Sequence, residues 1–155
     1  TFEQGVMAMR ELLEAIKQVR ERIKRYENQL SQNEMMTRYA LVDPILRALG
    51  WNTEDPGQVV PDFSTQRGRA DYALKWNGKP HIIVEVKSLG NNLNRAAMQG
   101  VNYCVAEGIS YFVCTDGNKW EVYNAFLPVP MKEKLIVKVS VSDEQKDDTG
   151  GVVFC

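Results

Sequence analysis

The sequence has few of the residues that build disulfide frameworks, zinc sites or histidine-based catalytic centres. Among its 155 residues are three scattered cysteines, Cys104, Cys114 and Cys155, and one histidine, His81. An odd number of cysteines with no CxxC or Cys/His cluster argues against disulfides and against a zinc site. The one histidine lies at the start of a predicted hairpin strand, where we do not expect it to anchor a His-based triad or a His-rich metal site. We therefore expect a reducing, cytoplasmic location, with Cys104 and Cys114 as small core residues and His81 on the surface.

An excess of one charge and long apolar runs are also absent. Lys and Arg number 19 and Asp and Glu 20, so no global basic field draws the chain to nucleic acid or membrane. Any contact with DNA must then be local or metal-assisted. No apolar run approaches the roughly 20 residues of a membrane span, and no charged start precedes an apolar core, so we expect neither a membrane segment nor a signal peptide. The chain has no GxxxxGKS or GxxxxGKT, which excludes a nucleotide-driven motor of its own.

Residues 1–30 have the pattern of an amphipathic helix. They contain no proline and many strong helix formers, and such a helix is about 40 Å long. The apolar stripe therefore either packs on its own domain or pairs with a second copy as a coiled coil, making a homo-oligomer. The apolar residues recur at spacings of three and four: Val6, Met9, Leu13, Ile16, Val19, Ile23, Tyr26 and Leu30.

Residues 31–142 alternate between helix and strand patterns, and 143–155 form a polar tail that we expect to be mobile. Residues 52–66 are rich in turn formers and predict a loop with at most one short strand. The order of elements predicts an α/β domain, with a central mixed sheet flanked by helices. The predicted strands are RADYALKW, HIIVEVK, SYFVCT, WEVYNAF and KLIVKVSVS.

Two predicted helices accompany these strands. The first is capped by Ser31 or Asn33 and ends at Gly50, and the second runs from Asn94 to about Glu107. The apolar pattern predicts the buried face of the first helix as Met35, Met36, Tyr39, Val42, Ile45, Leu46 and Leu49.

The Asn-Gly pair between RADYALKW and HIIVEVK indicates a β-hairpin. Because Pro80 cannot donate a ladder hydrogen bond, we expect a three-residue loop, Asn77 to Lys79, flanked by Trp76 and Pro80. Counting back from that loop predicts three cross-strand pairs: Leu74 with Ile82, Tyr72 with Val84, and Asp71 with Glu85. A two-residue loop would shift the pairing by one and place Asp71 and Glu85 on opposite faces.

In this register Asp71 and Glu85 are neighbours across two strands, with Cα atoms about 4.5 to 5.5 Å apart. Two carboxylates so close repel each other, and Lys87 is the only cation that the neighbouring sequence supplies. A divalent ion resolves the conflict, and Mg²⁺ takes one or two carboxylates together with water and phosphate oxygens. Lys87 lies on the same face, roughly 6.5 Å further along the strand. It is placed to hold an attacking water or to stabilise charge on a phosphate.

This spacing resembles the PD-(D/E)xK nuclease superfamily of metal-dependent enzymes that cut DNA. The stretches NEMMTRYALVDPILRALGW and AMQGVNYCVAEGISYFVCTDGNKWEVY resemble the N-terminal nuclease domain of type I restriction enzyme R subunits, over about Asn33 to Phe126. The resemblance implies a restriction-endonuclease-like core and a phosphodiesterase that uses Mg²⁺, with Mn²⁺ as a substitute. It also implies DNA and other restriction-system subunits as partners, and no membrane.

By position, the resemblance implies roles for single residues. Asp71, Glu85 and the Val86 carbonyl would be metal ligands, with Glu34 reaching the metal through water. Lys87 would be the catalytic lysine, and Gln99 and Tyr103 match a Gln-xxx-Tyr element that shares one helix face. Glu34 is equally accounted for as a first-turn acid that favours the helix dipole.

The sequence departs from the family pattern at Ala70, where proline is common, while a literal Pro61-Asp62 pair stands upstream. Asp62 is therefore a rival for Asp71 as the first metal ligand, and Asp71 is preferred because only it lies on the hairpin strand. Two other interpretations stay open. In the first, the chain is a catalytically inactive nucleic-acid-binding module on the same fold. In the second, it is an oligomerisation module whose acidic pair is incidental.

Overall fold

The centre of the fold is an open, six-stranded mixed sheet in which the strands lie in chain order. In this computed structural model the described residues are 1–142, together with the backbone of 145–146 and 152–153, which pairs as a short ladder. Every neighbouring pair in the main sheet is antiparallel except β3 and β4, which are parallel. The strands are β1 Val59–Thr65, β2 Gly68–Trp76, β3 Lys79–Val86, β4 Tyr111–Thr115, β5 Lys119–Asn124 and β6 Leu135–Ser140.

Helices cover both faces of this sheet, which confirms the predicted α/β architecture. One face carries the first three helices over a core that includes Val19, Leu41 and Val84. The other carries the crossover helix between β3 and β4, over a core that includes Val101 and Phe112. The helical segments are α1 Phe2–Ser31, α2 Glu34–Thr37, a π-helical turn Arg38–Val42, α3 Asp43–Ala48, α4 Asn94–Glu107 and a 3₁₀ turn Met131–Lys134.

The long helix α1 packs on its own domain through its second half only. Val19 and Leu30 are buried in the core, whereas Met9 and Leu13 in the first half are 63% and 39% exposed. Packing on the same chain, one of the two expectations for the stripe, therefore holds for the second half. Pairing with a second copy stays a prediction. None of the helices within residues 1–142 combines the length and apolar character needed to cross a membrane.

The predicted buried face of the second helix is wrong in its first half. Thr37 and Arg38 are buried where Met35, Met36 and Tyr39 were expected, and these three are exposed. Leu49 at the far end is also exposed, while Val42, Ile45 and Leu46 are buried as predicted. The π-helical turn explains the difference, because the N–H of Asp43 bonds the carbonyl of Arg38, five residues back. The extra residue rotates the upstream part of the helix relative to α3.

Residues 52–66 contain more strand than predicted. Strand β1 has seven residues and forms one edge of the sheet. Pro61 is compatible with this position because an edge strand has one side without ladder hydrogen bonds. The predicted tail 143–155 lies outside the described residues, apart from the four backbone positions named above.

The β2–β3 hairpin reaches the predicted pairing by a different route. Its turn has two residues, Asn77 and Gly78, both with positive φ (50° and 78°), and Trp76 pairs with Lys79. The predicted three-residue loop is therefore wrong. The pairing then slips by one between Lys75↔Pro80 and Leu74↔Ile82, leaving His81 as an extra residue in β3. This bulge restores the expected register.

Glycine allows α4 to approach the sheet closely. A Cβ at Gly100 would lie 1.9 Å from the Phe112 ring of β4. Phe112 is only 1% exposed, so a methyl group at residue 100 would meet a ring that is packed in the core.

We predict that Gly100→Ala destabilises the fold by about 1–3 kcal/mol, because overpacking a full core outweighs the better helix propensity of alanine. Gly5→Ala is the matched control, since Gly5 lies in α1 with nothing within 4 Å of its Cβ position. That change should stabilise the protein by about 0.5–1 kcal/mol. Urea unfolding measures both, and equal stabilisation by the two substitutions would contradict the close approach.

Candidate active site

Asp71 and Glu85 lie beside each other on neighbouring strands. The register that pairs Tyr72 with Val84 places them opposite one another one step further along. Their carboxyl groups are close enough to share a hydrogen bond, and Asp71 Oδ2 also accepts the Val86 N–H at 2.6 Å. The bulge at His81 is what keeps the two acids on one face.

Lys87 completes a group of three side chains. It follows β3 directly, and its Nζ lies 3.9 Å from Glu85 Oε1. Its own N–H donates to the carbonyl of Thr115 at 2.9 Å, which fixes the backbone at the end of β3. The Lys87 side chain keeps 34% of its surface exposed, so its ammonium can reach a bound molecule. The structure therefore brings Asp71, Glu85 and Lys87 together.

The carboxyl group of Glu85 is held in an unfavourable environment for a negative charge. Burial, followed by repulsion from Asp71, raises the pKa of Glu85 to about 8, and attraction from Lys87 only partly opposes this. The hydrogen bond with Asp71 acts in the same direction, because only the protonated form of Glu85 can donate it. At neutral pH the pair holds a proton unless a cation replaces it.

Arg38 is the site residue that the sequence analysis missed. It is 5% exposed, and its guanidinium lies 4.2 Å above the Tyr72 ring. Its Nη2 donates to the Asp71 carbonyl at 3.1 Å, and its Nη1 lies 3.8 Å from Asp71 Oδ1. A second cation, distant in sequence, therefore lies beside the acidic pair in addition to Lys87. Apolar periodicity could not predict the burial of Arg38, because such a pattern assigns only apolar residues to the buried face of a helix.

Asp62, the rival first ligand, lies on β1 across from Asp71. It adopts a positive φ of 49°, and its Oδ1 lies 3.3 Å from Arg38 Nη1 and 3.5 Å from Arg69 Nη2. Half of its side chain is exposed. Asp71 raises the pKa of Glu85 more than any other acid does, and Asp62 is not among the groups that shift it. The geometry therefore places Asp71 next to Glu85 and Asp62 on the far side of Arg38.

A cleft of about 250 Å³ opens beside these residues, between the sheet and α4. Gln99 and Tyr103 of α4 line it together with Glu85 and Lys87, so they share the helix face that their spacing predicts. Gln99 is exposed, and its side chain makes no hydrogen bond to the part of the chain that the structure describes. The Tyr103 hydroxyl is already bonded to Thr65 Oγ1 at 3.1 Å.

Glu34 and Val86 lie at the margin of this group. Glu34 is exposed at the start of α2, near enough for its charge to raise the pKa of Glu85 slightly. Val86 takes part through its N–H, which binds Asp71. A metal-ligating carbonyl of Val86 and a water-mediated contact of Glu34 stay predictions.

A buried acid that the sequence analysis did not single out holds the loop after β3. Asp116 is 1% exposed, and its Oδ2 accepts the N–H of Gly90 at 3.0 Å. Its Oδ1 accepts the N–H groups of Asn118 and Lys119 at 3.0 and 2.7 Å. These bonds tie the segment that follows Lys87 to the β4–β5 turn.

The donor set of the site suits a hard divalent ion. It offers carboxylate oxygens from two strands, Asp71 on β2 and Glu85 on β3. The described chain contains no larger group, of three or more His, Cys, Asp or Glu side chains, that is arranged for a metal. Mg²⁺ commonly takes one or two carboxylates and fills its remaining positions with water. A bound cation would also oppose the effect of burial and of Asp71, which together raise the pKa of Glu85.

Two solved structures resemble part of the chain. A fragment of a putative HsdR subunit of a type I restriction enzyme from Vibrio vulnificus YJ016 is 27% identical over 60% of this chain and 21% of its own length, with a TM-score of 0.47. The type IIG restriction endonuclease BpuSI is 21% identical over 66% of this chain and 12% of its own, with a TM-score of 0.45. No protein-family model matches the chain, and no curated protein matches it significantly.

We predict that Glu85→Gln changes how stability depends on pH. The pKa of Glu85 is about 8 in the folded protein and near 4.3 when unfolded, so the native state binds more protons between these values. The protonated form of Glu85 therefore stabilises the fold fully below about pH 4.3. This contribution to the free energy of unfolding decreases as the pH rises and is lost above about pH 8. The glutamine variant does not titrate, and we expect it to be more stable than wild type by about 1–3 kcal/mol at pH 8.5.

Urea unfolding at pH 5 and pH 8.5 in EDTA measures this difference. Glu54→Gln is the control, because Glu54 is an exposed acid in the loop before β1. If the stability of Glu85→Gln relative to wild type does not increase from pH 5 to pH 8.5, the unfavourable environment of the Glu85 carboxylate is contradicted.

Proposed function

We propose that this chain is a Mg²⁺-dependent DNA endonuclease domain of the restriction type, which hydrolyses phosphodiester bonds. The observation that carries the proposal is the convergence of Asp71, Glu85 and Lys87 where β2 and β3 pair, with Glu85 and Lys87 lining an open cleft. The sequence resemblance to the nuclease domain of R subunits supports the same reaction. It also makes DNA and other restriction-system subunits the proposed partners.

The residues divide the work by their chemistry. Asp71 and Glu85 would hold Mg²⁺ or Mn²⁺, and the ion would polarise a phosphate oxygen and offset the negative charge of the transition state. Glu85 loses its proton to solvent when a cation takes its place, so affinity for the ion should rise with pH. Lys87 positions the attacking water through its ammonium. The Gln99 side chain is exposed in the cleft and makes no hydrogen bond within the described chain. It is placed to donate to a phosphate there.

We predict that Lys87→Ala lowers plasmid cleavage by about 10²- to 10⁴-fold, the range typical of a side chain that positions or activates the attacking water. The assay follows nicking and linearisation of supercoiled DNA with Mg²⁺, Mn²⁺ or EDTA. Lys79→Ala is the matched control, because Lys79 lies at the exposed opposite end of β3. Glu85→Ala should lose cleavage as Lys87→Ala does, and full activity of the Lys87→Ala protein would refute the assignment.

The same assay separates the enzyme from an inactive binding module. Cleavage that requires metal supports the enzyme. DNA binding that is equal in Mg²⁺ and EDTA, without cleavage in either, supports a nucleic-acid-binding module on this fold.

Oligomerisation is a second candidate role, favoured by the exposed apolar residues of α1. Phe2, Met9 and Leu13 are 87%, 63% and 39% exposed, and Met9 and Leu13 line an apolar groove against the sheet. The stripe that begins in this half of α1 is thus available to a second copy.

If α1 mediates self-association, the double change Met9→Gln and Leu13→Gln should shift the sedimentation coefficient to that of a monomer. Met98→Gln is the control, since Met98 is 54% exposed on α4, away from this groove. If the unsubstituted protein sediments as a monomer at every concentration, self-association through α1 is excluded.

A further inference from the structure

We propose that Arg38 is a built-in cation in the place of a second metal ion, so that the site binds a single divalent ion. The inference rests on the proposed function, because it takes Asp71 and Glu85 as the ligands of that ion. It also settles the role of Asp62, which becomes a partner of Arg38 and not a metal ligand.

The first argument is which oxygen of Asp71 faces which partner. Oδ1 faces the guanidinium of Arg38, 3.8 Å from Nη1, and Oδ2 accepts the Val86 N–H at 2.6 Å. Val86 directly follows Glu85, so Oδ2 is bonded to the backbone of β3 beside Glu85. In two-metal sites the ions are about 3.5–4 Å apart, and a bridging carboxylate gives one oxygen to each. The Oδ1 side, where the second ion would bind, carries Arg38.

The second argument concerns the acid of β1 that shares Arg38 with Asp71. Asp62 lies across from Asp71, and its Oδ1 has two arginine neighbours, Arg38 at 3.3 Å and Arg69 at 3.5 Å. A second ion between Asp62 and Asp71 would have to displace the Arg38 guanidinium from both acids.

The third argument is that Arg38 cannot easily leave or lose its charge. Its side chain is 6% exposed, it stacks over Tyr72, and the Tyr72 hydroxyl in turn donates to Asp43 of α3. An arginine side chain remains protonated in proteins, unlike a lysine that a nearby metal could neutralise. The guanidinium is held from several sides, by the Asp71 carbonyl, the Tyr72 ring and the Asp62 carboxylate, while its buried Nε has no hydrogen-bond partner in the described structure.

Mn²⁺ titration followed by electron paramagnetic resonance tests this without DNA or turnover, because free Mn²⁺ is counted directly. Wild type should bind one ion per chain. Asp62→Asn should also bind one, with a dissociation constant changed by no more than about fivefold, the effect of one solvent-screened charge. Asp71→Asn should weaken binding by more than about 100-fold. Two ions in wild type, or loss of the ion in Asp62→Asn, would overturn the inference.

Arg38→Gln gives the complementary result. Once circular dichroism shows that the variant is folded, it should bind a second, weaker Mn²⁺ between Asp62 and Asp71, and a folded variant that still binds one ion contradicts the inference. If it does not fold, the Asp62→Asn and Asp71→Asn pair decides. Wild type that binds no Mn²⁺ at all would overturn the proposed function as well, whereas two bound ions would overturn this inference alone.

Discussion

The contact between the carboxyl groups of Asp71 and Glu85 is the constraint on which the site depends. Burial of Glu85, and then repulsion from Asp71 on the adjacent strand, raises the pKa of Glu85 to about 8, so this arrangement is unfavourable for a charged pair. The surrounding structure keeps them together by satisfying each from a different side, with the Val86 N–H and Arg38 on Asp71 and Lys87 on Glu85. Each acid therefore has a cationic neighbour, and Glu85 and Lys87 face the cleft.

Much of the architecture could be predicted from the sequence because it rests on local rules. The periodicity of β2 and β3 and the glycine that ends α4 at Gly108, with its φ of 73°, identify these elements directly. The pairing of Tyr72 with Val84 was correct although the predicted turn was not. Asn77 and Gly78 obey the two-residue turn rule, and the His81 bulge then shifts the ladder by one residue. A bulge gives no clear signal in an apolar pattern, so the prediction omitted it. The missing bulge and the extra loop residue shift the register by one residue in opposite directions, and the two errors cancelled.

The rest could not be predicted because it depends on partners that are distant in sequence. Arg38 is buried only because Asp62, Asp71 and Tyr72 surround it, and these residues lie more than 20 positions away. The π-helical turn rotated the face predicted for the second helix by one residue. The long stripe of α1 likewise gave no signal that only its second half would meet the core.

The topology of the sheet also bears on how the site assembles during folding. Strands β1, β2 and β3 are joined by short turns, so the loops that bring Asp71 to Glu85 are closed at little entropic cost. The parallel pairing of β3 with β4 must wait for the α4 crossover, a contact of much longer range. The acidic pair therefore belongs to the part of the chain that can form first. The wall carrying Gln99 and Tyr103 docks later, closing a cleft around charges that already face each other.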